Sequence, residues 1–334
     1  MKSGLLTKIV YSNFLWGSGL LILLAASTFD LLLPRDIRPL YLPESFRIVT
    51  ASPIFGGFFK TVFPINLVQH IFQFLYLVTT ALIVQHMVTE FRLIRVRSYF
   101  PFFLVCLLSA SVLPLIPFDG TYFANLLFIL SCSRLFSAQE SGLANKTVFD
   151  ATLLLGLASL LQPHLLLLLP VFWWVMLVMQ VLNARTFLTS LLGILVIAWL
   201  LAGASFVLDD WRYLKAFSSE VIEFRMLDFF SLPKSETILL LFLAILFLSA
   251  LLSFWPRQHL EKLKTRNCLN SFLVIWLGLA SNWFFSSNYV GCLLFLLTIS
   301  SVVMAHFFSL VDNHYSRFMF FCLMVLSVTA YLFY

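Results

Sequence analysis

The pattern of apolar and polar positions is clearest between Asp119 and Arg185. A long apolar run there is interrupted at two points, a polar joint at 138–147 and the triplet Gln162-Pro163-His164. The three resulting segments are each about 15–20 residues long, which matches a bilayer core of about 30 Å. Pro163 suits the first turn of the third segment, where its missing N–H costs nothing. His164 is therefore predicted to be a solvated histidine near a membrane surface, with a ligand or a proton relay as the alternative.

The same pattern extends over the whole chain and predicts an all-α, polytopic transmembrane bundle of about eleven spans. The apolar runs do not alternate with a two-residue period, so they favour helices. Beside the three segments above, the predicted spans cover 13–33, 64–88, 99–116, 187–208, 237–255, 268–285, 289–310 and 318–334.

Two segments depart from this pattern of spans and short turns. The loop 34–63 contains four prolines and a Gly-Gly pair, so it cannot form one continuous helix. In 209–236, apolar residues recur every three or four positions and charged residues occupy the other side. That spacing predicts an amphipathic helix lying in the membrane interface.

Composition and charge identify the class of protein. Of the 334 residues, 61% are hydrophobic and 11% are charged, less than half the charged fraction of a soluble domain, so residues 1–334 are predicted to form a single integral membrane domain. Lys and Arg concentrate in the loops on the side of the N-terminus, which places that terminus inside and the C-terminus outside. The net charge of +6 is thus explained by topology, and no nucleic-acid partner is predicted.

No familiar catalytic or metal-binding motif is present. The sequence contains no phosphate-binding Gly loop, no HExxH, no GxSxG and no CxxC pair, so no metal site is predicted and the cofactor stays undetermined. All five cysteines fall inside apolar spans, where they are predicted to be small buried hydrophobic residues.

Candidate chemistry is confined to carboxylates at the predicted outer face. Asp30 lies near the end of the first span, and Asp36 follows between Arg35 and Arg38. Such a carboxylate can act as a general base or metal ligand while the arginines bind a phosphate. The alternative is an interfacial cluster that fixes the depth of the helix. Asp119 is a possible second acid, although its Pro-Phe-Asp-Gly context is also that of an ordinary tight turn.

A polar stripe marks one face of the second span. Asn66, His70 and Gln73 follow one another at steps of four and three residues, which places them on one helix face. The stripe is either a transport path or a set of contacts that join helices, and the second interpretation is the more common one.

Part of the chain resembles a family of uncharacterised bacterial multipass inner-membrane proteins. The resemblance rests on the basic turn before Tyr99-Phe100-Pro101, on Ala124-Asn125-Leu126, on 146–150, on 156–160 and on 183–193. It implies a location in the bacterial inner membrane and no particular activity. In layout the chain is also similar to GT-C glycosyltransferases, multipass enzymes in which the first outer loop carries an acidic catalytic residue.

The similarity to GT-C enzymes implies transfer of a sugar from a polyprenyl-phosphate donor in envelope glycan assembly. Asp36 or Asp30 would then be the base, with Asp119 as a second acid and Arg35 and Arg38 near the lipid phosphate. A transporter or flippase of a lipid-linked substrate and a non-enzymatic subunit of an envelope complex stay open as alternatives. The expected partners are membrane lipids, a polyprenyl-linked sugar and other membrane proteins.

Overall fold

The computed structural model describes most of the chain with defined gaps. It covers 9–32, 66–94, 98–112, 119–139, 143–207, 211–222, 262–285, 289–310 and 313–332, with a few positions between 241 and 248.

These residues form eleven α-helices and one 3₁₀ segment, and the described part of the chain contains no strand. In order, they are α1 (Leu15–Leu32), α2 (Asn66–Glu90), α3 (Phe100–Val112), α4 (Gly120–Ser137), α5 (Ala144–Leu161), the 3₁₀ segment (Pro163–Leu168), α6 (Leu169–Val178), α7 (Ala184–Val207), α8 (Arg212–Ile222), α9 (Leu263–Phe285), α10 (Tyr289–Leu310) and α11 (His314–Leu332).

The predicted helical class is confirmed. Four helices are long and apolar enough to cross a membrane, and they cover Leu67–Glu90, Ala144–Leu161, Ala184–Val207 and Gly291–Leu310. Shorter apolar helices accompany them at Leu15–Thr28, Phe100–Ser111, Pro163–Val178 and His314–Thr329. The count of eleven spans and the orientation stay predictions.

Hydrogen bonds between distant parts of the chain join one end of the bundle. Gln85 Nε2 donates to the carbonyl oxygen of Ser98 over 2.7 Å, and the Ser98 hydroxyl donates to the carbonyl oxygen of Val10. His306 Nδ1 lies 2.7 Å from the carbonyl oxygen of Leu93. We call this group the Ser98 end. It gathers the start of α1, the last turns of α2 and α10, and the start of α3, so these helices run in alternating directions.

The core is built around α10, in which every residue from 291 to 308 is buried. Phe295 of α10 meets Phe128 of α4 edge to face with ring centroids 5.6 Å apart, and Phe128 also contacts Phe172 of α6. By contrast, α7 leaves large apolar side chains such as Trp199 and Phe206 mostly exposed. An exposed apolar face of this kind is what a helix presents to lipid.

The third apolar segment begins as predicted but differs in the placement of its histidine. Gln162 has an extended backbone that ends α5, and Pro163 occupies the start of the 3₁₀ segment. His164 is buried, so the prediction of a solvated histidine is wrong. The reason is that α9 packs against the 3₁₀ segment and covers it.

The contact between α5 and α7 depends on a glycine. A Cβ atom added to Gly193 would overlap Thr152 Oγ1 and would lie 3.1 Å from both the backbone nitrogen of Leu153 and the carbonyl oxygen of Phe149. Two of these neighbours are backbone atoms of α5, which cannot rotate away. Small residues permit this kind of close approach between membrane helices.

We therefore expect Gly193→Ala to destabilise the protein by about 1–3 kcal/mol, the usual cost of overpacking a tight contact. Unfolding in detergent, followed by circular dichroism, measures the effect.

Gly203 supplies the matched control, because it lies on the same helix and a Cβ there would meet nothing within 4 Å. Gly203→Ala should leave stability unchanged or raise it slightly, since Ala is the better helix former. Equal effects of the two substitutions would contradict the close-contact explanation.

Candidate functional site

The opposite end of the bundle carries a buried carboxyl group. Asp119 is the N-cap of α4: its backbone is extended, and its Oδ1 accepts a hydrogen bond from the backbone N–H of Thr121 over 2.8 Å. Asp is a favoured N-cap because its carboxylate satisfies an otherwise unpaired N–H of the first turn. The Asp119 side chain is only 5% exposed, which an ordinary surface cap does not require.

A side chain from α5 reaches the same turn. Gln162 Nε2 donates to Thr121 Oγ1 over 2.7 Å, and the backbone N–H of Thr121 is the donor to Asp119. All three side chains are buried. A continuous set of hydrogen bonds therefore links the end of α5 to the N-cap of α4.

Burial dominates the electrostatics of Asp119, which lies just before α4. It raises the pKa of the carboxyl to about 7, although the hydrogen bonds from the side chain and backbone of Thr121 lower it. Oδ2, the second carboxyl oxygen, is buried and accepts no hydrogen bond from the described residues. Asp119 thus has one oxygen held by Thr121 and one buried oxygen that lacks a hydrogen-bond donor among the described residues.

Two buried asparagines extend this polar end. Asn125 Nδ2 donates to Thr298 Oγ1 over 3.2 Å, and the Thr298 hydroxyl donates in turn to the carbonyl oxygen of Leu294. Asn282 Nδ2 donates to the carbonyl oxygen of His164 over 2.9 Å. These bonds connect α4 to α10 and α9 to the 3₁₀ segment. Within the described residues, Oδ1 of both asparagines has no donor.

The polar stripe of α2 reaches this end through one member. Gln73 is buried and donates from Nε2 to the Tyr122 hydroxyl of α4. His70 is half-buried, and Asn66 is the first residue of α2, although its side chain lies outside the described set. We call Gln73, Asp119, Thr121, Tyr122, Asn125, Gln162 and Asn282 the Asp119 end.

The side chains of the remaining predicted site residues lie outside the described part of the chain. Asp30 lies in the last turn of α1, on the side away from the Ser98 end, but its side chain is outside the described residues. Arg35, Asp36 and Arg38 fall in the undescribed segment 33–65, as does the whole predicted outer loop 34–63.

The predicted interfacial helix is described in part. Helix α8 covers 212–222 and contacts the 3₁₀ segment and α7, while 223–236 is outside the described range. It therefore lies beside the segment that follows Gln162 in the chain.

Some members of the Asp119 end have no role in the sequence-based prediction. The sequence marks Gln162 only as an interruption of an apolar run, and it gives no sign that Thr121, Tyr122 and Thr298 are hydrogen-bond partners. The five cysteines, which the sequence predicts to be small buried hydrophobic residues, are free in the described structure, with four of them buried and Cys322 half-buried.

No family model, curated protein or solved structure matches this chain. Among the described residues, no group of three or more His, Cys, Asp or Glu side chains could hold a metal ion.

The pKa of Asp119 predicts a pH dependence of stability. Because the folded protein binds this proton more tightly than a free carboxyl with a pKa of 3.8, the contribution is complete below pH 3.8 and is lost as pH rises to about 7. Asp119→Asn, which keeps an N-cap acceptor, should remove this component.

Thermal unfolding in detergent at a series of pH values measures it. The wild-type melting temperature should fall over that interval more steeply than that of Asp119→Asn. Parallel curves for the two proteins would contradict a raised pKa at Asp119.

Proposed function

We propose that the chain is an eleven-span protein of the bacterial inner membrane, with its N-terminus inside and its C-terminus outside. The four long apolar helices, the shorter apolar helices and the asymmetric distribution of Lys and Arg support this topology. The Asp119 end and α8 then face outward, and the Ser98 end faces the cytoplasm.

Cysteine labelling tests this orientation. Ser218 on α8 and Asn145 at the start of α5 are both exposed and belong to opposite sides of the proposed topology. In a Cys322→Ser background, an impermeant maleimide added to intact spheroplasts should label Ser218→Cys and leave Asn145→Cys unlabelled until the membrane is opened. The reverse pattern would invert the topology.

We further propose that the protein is a GT-C-like transferase that moves a sugar from a polyprenyl-phosphate donor during envelope glycan assembly. The observation that carries this proposal is the buried carboxyl of Asp119, with one oxygen held by Thr121 and the other without a hydrogen-bond donor among the described residues. A general base works best when its pKa is near the ambient pH, and burial moves the pKa of Asp119 to about 7.

In this reaction the oxygen of an acceptor hydroxyl forms a bond to the anomeric carbon of the donor sugar. The bond between that carbon and the phosphate oxygen breaks, and polyprenyl phosphate leaves with the bonding electron pair. A carboxylate takes the hydroxyl proton. Asp119 is the candidate base whose surroundings are described. Asp36 and Asp30 stay candidates for the same step or as metal ligands.

The two arginines and α8 complete the proposed site. Arg35 and Arg38 suit a lipid phosphate because guanidinium groups donate in a planar fork that matches its oxygens. Helix α8 combines an amphipathic sequence with a position beside the 3₁₀ segment, so it can guide the polyprenyl chain along the membrane surface.

The transporter alternative requires the polar stripe of α2 to line a path. The side-chain amide of Gln73 instead donates a hydrogen bond to the hydroxyl of Tyr122 on the neighbouring helix. Such a bond is typical of packing between membrane helices and favours the transferase over the transporter.

The transferase proposal is tested by mass spectrometry of polyprenyl-linked sugars and envelope glycans in cells that lack the protein. We expect a lipid-linked sugar to accumulate and one glycan mass to disappear, and wild type should restore both. Asp119→Asn, and separately Asp30→Asn and Asp36→Asn, identify the carboxylate that the reaction requires, because loss of a general base lowers the rate by about 10²–10⁴-fold.

Glu90→Gln is the matched control, since Glu90 is a carboxylate near the Ser98 end that lies 3.6 Å from His86 at the surface. It should restore the profile fully. An unchanged profile in the deletion strain, or restoration by all three aspartate variants at normal expression, would remove the transferase proposal.

A further inference from the structure

Gln162 and Asp119 belong to different helices, yet they share one intermediate, Thr121. We infer that Gln162 is a positioning residue: acting through Thr121, it holds Oδ1 of Asp119 in place and leaves Oδ2 to meet the substrate. The role of Oδ2 rests on the proposed transferase function, but the positioning of the carboxyl by Gln162 does not depend on it.

The direction of each hydrogen bond follows from the groups involved. The Gln162 amide nitrogen can only donate, so Thr121 Oγ1 accepts from it. The Thr121 hydroxyl then has its single hydrogen left for the Asp119 carboxyl, whose pKa the Thr121 side chain lowers. The backbone N–H of Thr121 is a second donor to the same carboxyl. A hydroxyl that accepts a hydrogen bond becomes a stronger donor, so Gln162 strengthens the hold on Asp119.

Gln162 is itself fixed from both sides. Its backbone N–H donates to the carbonyl oxygen of Ala158 over 2.9 Å, which anchors it to α5. The 3₁₀ segment that follows is held by Asn282 through the carbonyl oxygen of His164 and is contacted by α8. The restrained backbone on both sides of Gln162 therefore holds its side-chain amide in position to donate to Thr121.

The pKa shift of Asp119 has local causes. Burial and the hydrogen bonds from Thr121 account for the direction of its pKa shift. The other titratable side chains toward this end, on α4 and on described elements packed against α4, α5 or the 3₁₀ segment, are His70, Tyr76, Tyr122, His164, Lys215 and Cys292. None of them is a cause of that shift. A change at Gln162 should thus be read out at Asp119 without interference from a neighbouring charge.

Infrared difference spectroscopy of the purified full-length protein tests the inference without any assay of activity. The carboxyl stretch that is present in wild type and absent in Asp119→Asn is followed as a function of pH. Gln162→Met, which keeps the side-chain volume but removes the donor, should raise the titration midpoint by about half a unit. Thr121→Val should raise it by about one unit, the equivalent of one net hydrogen bond.

Two controls separate positioning from general destabilisation. Thr121→Ser keeps the hydroxyl and should restore the wild-type midpoint. Gln85→Met removes an equivalent donor between helices at the Ser98 end, where Gln85 Nε2 meets the Ser98 carbonyl, and it should leave the midpoint unchanged. If Gln162→Met does not fold, Thr121→Val and Thr121→Ser test the same link.

The inference is overturned if folded Gln162→Met and Thr121→Val both titrate at the wild-type midpoint, or if Gln85→Met shifts it equally. Failure of the transferase proposal is a separate outcome, because an unchanged glycan profile leaves the infrared midpoints unaffected. Shifted midpoints together with an unchanged profile would retain Gln162 as a positioning residue and discard the reaction.

Discussion

The structure depends on one constraint: a polar group in an apolar bundle must find its partner within the protein. Three side-chain amide N–H groups meet this constraint by donating to another helix or beyond a turn rather than along their own helix. Gln85 reaches the Ser98 carbonyl, Gln162 reaches Thr121 and Asn125 reaches Thr298, in each case on another helix or beyond a turn. Since apolar contacts alone give little preference between one helix register and another in lipid, these bonds fix which helices meet and at what depth.

Polar contacts hold both ends of the bundle, and close packing also holds the helices between them. Around Gly193 the backbones of α5 and α7 approach until no methyl group would fit, and around Phe128 and Phe295 aromatic rings fill the space. The division matters for the proposed site, because Asp119 sits on a helix that is fixed at its start by polar contacts and along its length by packing. A carboxyl on such a support has a defined position.

Much of the fold is predictable from the sequence, because the periods of apolar residues and the prolines act locally. The interruption at Gln162-Pro163 is an example, since the backbone does leave the helix there. The contacts of the candidate site are not predictable in the same way. Thr121 and Gln162 are separated by 41 residues and Asn125 and Thr298 by 173, so their pairing follows from how the helices pack. His164 was mispredicted for the same reason, because its burial is caused by α9.

The contact between α8 and the 3₁₀ segment has a consequence for the lipid around the protein. If α8 rests at the level of the lipid headgroups, its height is set by the thickness of the bilayer on that side, whereas Asp119 is set by the bundle. The 3₁₀ segment contacts both α8 and the bundle, and Gln162 is the residue immediately before it. A change in bilayer thickness would then act first on the backbone beside α8, next to Gln162.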